Sequence, residues 1–150
     1  MIQNTLEQIK QMARDQALYL RERAPEMTGT EIIAEEEYIP DWNNEKDYTN
    51  VVVGAPVQHE GQVYTLLQPH NASYYPDTNP ATLAALWRVK HTTDPLKAKP
   101  WVKPTNTSDM YLKDECMVWT DGTIKRCALE AGTIYSPEEY AQAWEDVEIL

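Results

Sequence analysis

The chain has no phenylalanine, only two cysteines and three histidines, and no apolar run approaching the ~18 residues that a bilayer-spanning helix needs. No membrane contact is expected. Its opening, Met1-Ile2-Gln3-Asn4-Thr5-Leu6-Glu7, lacks the basic and apolar regions of a secretory signal, so the expectation is a soluble chain made in the cytosol. Basic residues are scarce, 13 against 24 acidic ones for a net charge of −11, which argues against a nucleic-acid partner. The histidines, at 59, 70 and 91, show no ligand spacing with cysteine or with one another, and no metal and no cofactor are expected. No nucleophile elbow, P-loop or zinc-protease motif is present. The run Glu35-Glu36-Glu37 could be imagined as paired acids, but consecutive helical residues point in different directions, so the expectation is that the chain is not an enzyme.

Cys116 and Cys127 lie symmetrically about Asp121-Gly122, so a two-residue hairpin there would make them cross-strand neighbours. That pair would fall at a hydrogen-bonded site with poor bridging geometry, and a cytosolically made protein keeps its thiols reduced. Reduced, packed cysteines are expected.

What the chain does have is five Trp and nine Tyr, so nearly every ring carries a polar handle suited to half-wet surfaces. From residue 4 to about 24 the spacing of Ile2, Leu6, Ile9, Ala13, Ala17 and Leu20 predicts a helix, with Asn4 and Glu7 as a capping box and Pro25 as the stop. Its heptad positions 2, 6, 9, 13, 16 and 20 form a narrow seam on which Ile2, Leu6, Ile9, Ala13 and Leu20 could oligomerise or dock. Alternatively the helix packs on the rest of its own chain. A second capping box, Thr28 with Glu31, flanked by the staple pair Met27 and Ile32, predicts a short helix over roughly 29–37. Beyond Pro40 short apolar stretches broken by Pro, Asn, Asp and Gly predict small strands joined by turns.

Within that part lies an internal repeat. Gly61-Gln62-Val63-Tyr64, Pro80 and Leu86-Trp87-Arg88-Val89 match Gly122-Thr123-Ile124-Lys125, Pro137 and Ala143-Trp144-Glu145-Asp146-Val147. The interval from Pro to Trp is seven residues in both copies, and each copy opens alike, Trp42, Tyr48 and Val57 in the first and Trp101, Tyr111 and Val118 in the second. The expected fold is α+β: an N-terminal helix and a short second helix (1–38, an anchor or oligomerisation segment), then two tandem small antiparallel β-modules (39–90 and 101–150). Between them, 91–100 reads as a basic linker. Units of about 50 residues barely repay chain entropy alone, so the two are expected to share surface.

Saccharide recognition needs flat rings against sugar faces and a few amides, hydroxyls or imidazoles for the hydroxyls. The first module offers Trp42, Tyr74, Tyr75 and Trp87 with Gln68, His70 and Asn71; the second offers Trp101, Tyr135 and Trp144, with Tyr111 and Trp119. A module of this size also needs rings for its core, and by position Tyr64 and Trp87 could both serve there. Tyr74-Tyr75 is the better surface pair, since adjacent rings point to opposite sides.

The stretch from Trp42 through Tyr48, Gly54, Val57, Gly61 and Tyr64 to Pro80 and Leu86-Trp87-Arg88-Val89 resembles the chitin-binding modules of carbohydrate-binding families 5 and 12. Leu67-Gln68-Pro69-His70-Asn71, Tyr75-Pro76-Asp77 and Leu86-Trp87 resemble the versions in structural proteins of phages of Gram-positive bacteria. Trp101-Val102-Lys103-Pro104-Thr105, Asp109-Met110-Tyr111, Tyr135-Ser136-Pro137 and Trp144 are similar to the unit that follows in those proteins. Together these matches cover about 110 of the 150 residues. The chain departs from the pattern at Gln68, where a platform aromatic often stands, at Tyr75, where Trp is common, and at Lys125, which matches Tyr64. The resemblance implies a virion protein of tail, baseplate or head fibre, assembled in the host cytoplasm, with other virion proteins and host cell-wall polysaccharide as partners and a homo-oligomeric state. A pure assembly or adaptor component without sugar binding is the second reading, and a detached cell-wall or chitin-binding module the third.

Overall fold

A computed structural model describes residues 2–149, with side chains from residue 5 onward. The architecture is α+β. Helix α1 (Ile2–Arg23) and helix α2 (Gly29–Ala34) precede two small sheets. The first contains β1 (Pro56–His59), β2 (Gln62–Leu66) and β3 (Trp87–Lys90), all antiparallel; the second contains β4 (Lys99–Pro100), β5 (Cys116–Val118), β6 (Ile124–Cys127) and β7 (Trp144–Val147), in that order. Among the described residues no helix is long and apolar enough to cross a membrane.

Helix α1 starts two residues earlier than expected, which places Asn4 inside its first turn; the side chains of Asn4 and Ile2 lie outside the described residues. Offsets of this size are ordinary at helix ends. The helix closes into a 3₁₀ turn at Ala24–Glu26 that Pro25 can enter because its missing N–H would have had no helical partner. The capping box on α2 forms: the Glu31 N–H donates to Thr28 Oγ1 at 3.2 Å and the Thr28 N–H donates to Glu31 Oε1 at 2.9 Å. Met27 and Ile32 meet in one cluster, as a staple should. The helix is shorter than the expected 29–37, because Glu35 leaves helical geometry and a 3₁₀ turn, Glu36–Tyr38, follows. Both acids at this break are engaged in ion pairs. The Arg23 guanidinium grips Glu35 at 2.8 and 3.1 Å, and Glu36 accepts from Lys97 and Lys99. Burial works to raise the Glu36 carboxyl, but the two ammoniums outweigh it and hold it below the usual carboxylate range.

Three apolar clusters hold the molecule. One face of the first sheet carries Tyr48, Val57, Tyr64, Leu66, Trp87 and Val89. Its other face meets the helical segment through Val63, packed with Leu20, Ile32, Ile33 and Ile39. Strand β2 is therefore buried at every position. The third cluster, Tyr111, Met117, Cys127, Ala143 and Trp144, belongs to the second sheet.

Hydrogen bonds repeat between the sheets. The Trp42 N–H donates to Gln58 O at 2.8 Å, and the Trp101 N–H donates to Val118 O at 2.9 Å. The next N–H in each copy donates to a tyrosine hydroxyl, Asn43 to Tyr48 at 3.0 Å and Val102 to Tyr111 at 3.2 Å. Those tyrosines stand edge-on to Trp87 and Trp144, with ring centroids 5.1 and 5.2 Å apart. The turns leading to the tryptophans match as well, with Leu83 N–H on Asn79 O and Tyr140 N–H on Ser136 O. This pattern aligns Val57 with Met117, one residue before Val118, and gives β4 a parallel pairing with β5 that the first sheet keeps only as the Asp41–Gln58 bridge.

The one-residue offset originates at the second hairpin. The first is closed by Glu60-Gly61, both at positive φ (48° and 80°), as a two-residue primed turn requires. In the second only Gly122 has positive φ (87°), and Trp119 pairs with Thr123 around a three-residue loop. Cys116 consequently faces Arg126 instead of Cys127. Side chains alternate between faces, so the two thiols lie on opposite sides of the sheet, and both are free and buried.

Residues 91–100, read as a basic linker, do not hang free. Thr92 bridges to Cys116, His91 stacks on Tyr111 at 3.7 Å, Lys97 and Lys99 bind Glu36, and Lys99 and Pro100 form β4. The Gln62 amide donates to Pro100 O at 2.6 Å, and Val102 packs on the ring cores of both sheets. Gly29 sits at this junction: a Cβ there would lie 2.2 Å from His91 O, so only glycine allows α2 to approach the end of β3.

Candidate functional site

The expected sugar-contacting rings separate into core and surface. Trp87 (2% exposed) and Trp144 (8%) are core residues; the Trp144 indole N–H donates to Tyr135 O at 2.9 Å. Tyr74 is 78% exposed and Tyr75 is 40% exposed. They sit on a 3₁₀ turn, Ala72–Tyr74, capped by the Asn71 side chain, which accepts from the Ser73 N–H at 3.0 Å and the Ser73 hydroxyl at 2.7 Å. The Ala72 N–H donates to Lys46 O at 2.9 Å, the Tyr75 N–H to Ala72 O at 3.0 Å, and the Thr78 hydroxyl to Tyr75 O. The two rings are presented on a hydrogen-bonded ledge.

Beneath that ledge lies His70, itself buried. Its Nδ1 is 2.9 Å from Gln68 O, and its ring meets Tyr75 at 5.7 Å, Trp87 at 5.5 Å and Tyr48 at 5.7 Å. His70 thus joins the surface ring to the core instead of offering itself to solvent. Gln68 is exposed beside it, with its amide on Ala85 O at 3.1 Å. Gln68, His70, Tyr74, Tyr75 and Trp87 therefore belong to one neighbourhood, of which Gln68, Tyr74 and Tyr75 reach the surface. Trp42 is half-buried, edge-on to His59 at 5.2 Å, and has no ring contact with the ledge among the described residues.

In the second module Trp101 is half-buried and stacked on Tyr111 at 5.2 Å, while Tyr135 is 48% exposed. Tyr135 lines a shallow hollow of about 290 Å³ with Met110, Leu129, Ile134 and Tyr140. Tyr140 was not among the expected site residues. It occupies the place of Leu83, three residues after the repeat proline, and an aromatic with a hydroxyl at that place was the available signal.

The expected docking seam also divides. Leu20 is fully buried in the body, whereas Leu6 and Ile9 are exposed with Met12, and every described residue from 5 to 16, Ala13 included, is solvent-exposed. Most of α1, a 22-residue helix about 33 Å long, projects from its last turn.

No protein-family model matches the chain, and no curated protein matches it.

Proposed function

We propose that this chain is a non-enzymatic structural protein of a phage virion, of tail, baseplate or head fibre, whose first β-module contacts host cell-wall glycan. The observation that carries the glycan contact is the Tyr74–Tyr75 ledge: two adjacent rings left to solvent on a turn whose backbone is held at three points. Rings fixed in this way offer flat area at little entropic cost, and Gln68 and Asn71 stand beside them as polar groups. Helix α1 is the assembly arm. An isolated helix is marginal in water, and the exposed Leu6, Ile9 and Met12 suit burial against other virion proteins or further copies of the chain. Display in many copies would raise weak single-site affinity by ~10²–10⁴.

The second reading, an assembly or adaptor component without sugar binding, is favoured by the apolar hollow of Met110, Leu129, Ile134, Tyr135 and Tyr140, which suits a protein surface better than a polar sugar.

Retention on purified Gram-positive cell wall separates the two. Native protein should be retained, and a Tyr74→Ala/Tyr75→Ala double variant should bind about tenfold more weakly, the loss of roughly 1.4 kcal/mol that a well-stacked ring supplies. Equal retention of both proteins, or no retention of either, rejects the glycan contact.

A further inference from the structure

A further cleft lies away from the Tyr74–Tyr75 ledge and the Tyr135 hollow. It measures about 570 Å³ and is walled by the start of α2, the outer side of β3 and the 108–115 loop of the second module. Pairing parity explains its chemistry. Trp87 and Val89 face the ring core, so Arg88 and Lys90 face the other way, on the side where the helical segment covers Val63. The helices do not reach far enough along the sheet to cover these two cations, and the space left beside them is the cleft. A second hollow of about 190 Å³, walled by Ala24, Pro25, Met27 and Gly54, continues it along the same strand and shares Arg88 and Lys90.

Two cations on this surface are unusual in a chain of net charge −11. Neither forms an ion pair among the described residues. Arg88 Nε is buried with no hydrogen-bond partner, a costly state for a charged donor unless something accepts from it. Lys90 is partly buried, and desolvation lowers its ammonium from the usual lysine range.

The other charged groups in the cleft are already engaged. The Asp109 carboxylate accepts the Thr105 and Asn106 N–H groups at 3.0 Å, Glu115 accepts the Leu112 N–H at 2.7 Å, and Lys113 holds Glu130 at 2.6 Å. Burial raises the Glu115 carboxyl, and His91, lowered by burial to about 4, is neutral at pH 7. Arg88 and Lys90 are left without a direct ion pair, Lys90 within the field of the Glu115 carboxylate, and the hydroxyls of Thr30, Thr93 and Ser108 lie around the same opening.

We infer that this cleft is a binding site for a phosphate-class dianion held by Arg88 and Lys90. The forked guanidinium, with its Nε buried and unpartnered, and the ammonium on the same face of β3 offer several donors to the oxygens of a phosphate monoester or inorganic phosphate, more than a lone carboxylate can accept. The site shares no side chain with the Tyr74–Tyr75 ledge, so it stands whether or not that ledge binds sugar.

Titration of the ¹⁵N-labelled full chain with inorganic phosphate, with acetate and chloride at matched ionic strength, tests the assignment. Phosphate should give saturable shifts at residues 28–30, 88–93 and 108–115, weakened at least tenfold by Arg88→Gln and by Lys90→Gln, whose dispersed spectra report whether each remains folded. Shifts that follow ionic strength equally for all three salts overturn the proposal. So does saturation by acetate alone, or an unchanged affinity in a folded Arg88→Gln protein. The native titration is decisive even where a variant fails to fold.

Discussion

The two β-modules share a hydrogen-bond skeleton and differ in what covers it. The first sheet is sandwiched between its ring core and the helical segment, so β2 is buried throughout. Among the described residues no residue of α1 or α2 joins the second sheet's cluster, and its partly exposed β6 and β7 are joined by the pairs Lys125–Asp146 at 2.6 Å and Arg126–Glu145 at 2.8 Å. Lys125 stands where the first copy has buried Tyr64 because the second sheet closes there with a cross-strand ion pair. What the two copies keep in common, tyrosine on tryptophan over a hairpin, is the minimum that closes a module of this size. Where they differ, a surface is left uncovered: the ring ledge in the first and the apolar hollow in the second.

The sharpest challenge to this comparison is deletion of the shared tryptophans. Trp87→Ala and Trp144→Ala should each cost about 3–5 kcal/mol by urea denaturation. If one variant unfolds readily and the other stays near native stability, the skeleton is not equally essential to both modules.

The contact between the modules is probed by pH. His91 lies stacked on Tyr111, with Nε2 3.0 Å from Asp109 O, and burial lowers it from 6.5 to about 4. Between those values the unfolded chain binds a proton that the folded chain refuses. The stabilisation is complete above pH 6.5 and is lost as pH falls towards 4, by roughly 3 kcal/mol at most. Urea midpoints measured from pH 7 to 4.5 should fall, and the fall should be much reduced in His91→Gln. The Glu115 carboxyl, raised by burial above the ordinary carboxylate range, works in the opposite direction. An identical slope in both proteins would remove His91 from the explanation.

The smallest effect sharpens the comparison most. Tyr48→Phe and Tyr111→Phe each remove a hydroxyl that accepts a backbone N–H while leaving the ring in place. Each should lower stability by about 1 kcal/mol in the same assay. Unequal losses would mean that the repeated hydrogen bond is not energetically equivalent in the two copies.

Much of this arrangement was legible in the sequence. The Thr28–Glu31 capping box, the staple and the break near Pro40 are local signals read at fixed offsets, and the seven-residue interval from Pro to Trp correctly marked two matching turns. Three features were not legible. Asp121-Gly122 is compatible with either a two- or a three-residue hairpin; the Asp121 carboxylate accepting the Thr123 N–H at 3.0 Å accompanies the longer one, and alternation carries that single residue to every side chain beyond. Exposure of Tyr74 and Tyr75 could be read from their adjacency, but burial of Trp144 and His70 depends on which face the chain covers, a tertiary outcome that composition does not encode. The basic run at 91–100 read as a linker because its acidic partner, Glu36, is some sixty residues away in sequence.

That extra residue in the second hairpin also governs how the molecule meets an oxidant. With the two thiols on opposite faces, no intramolecular crosslink can form without unpicking the strands. Burial raises Cys116 to about 11, so only about one such side chain in 10⁴ is thiolate at neutral pH. The covalent structure should be the same in a reducing cell interior and in an oxidising medium outside it, and the protein can pass from one to the other without a redox step in its maturation.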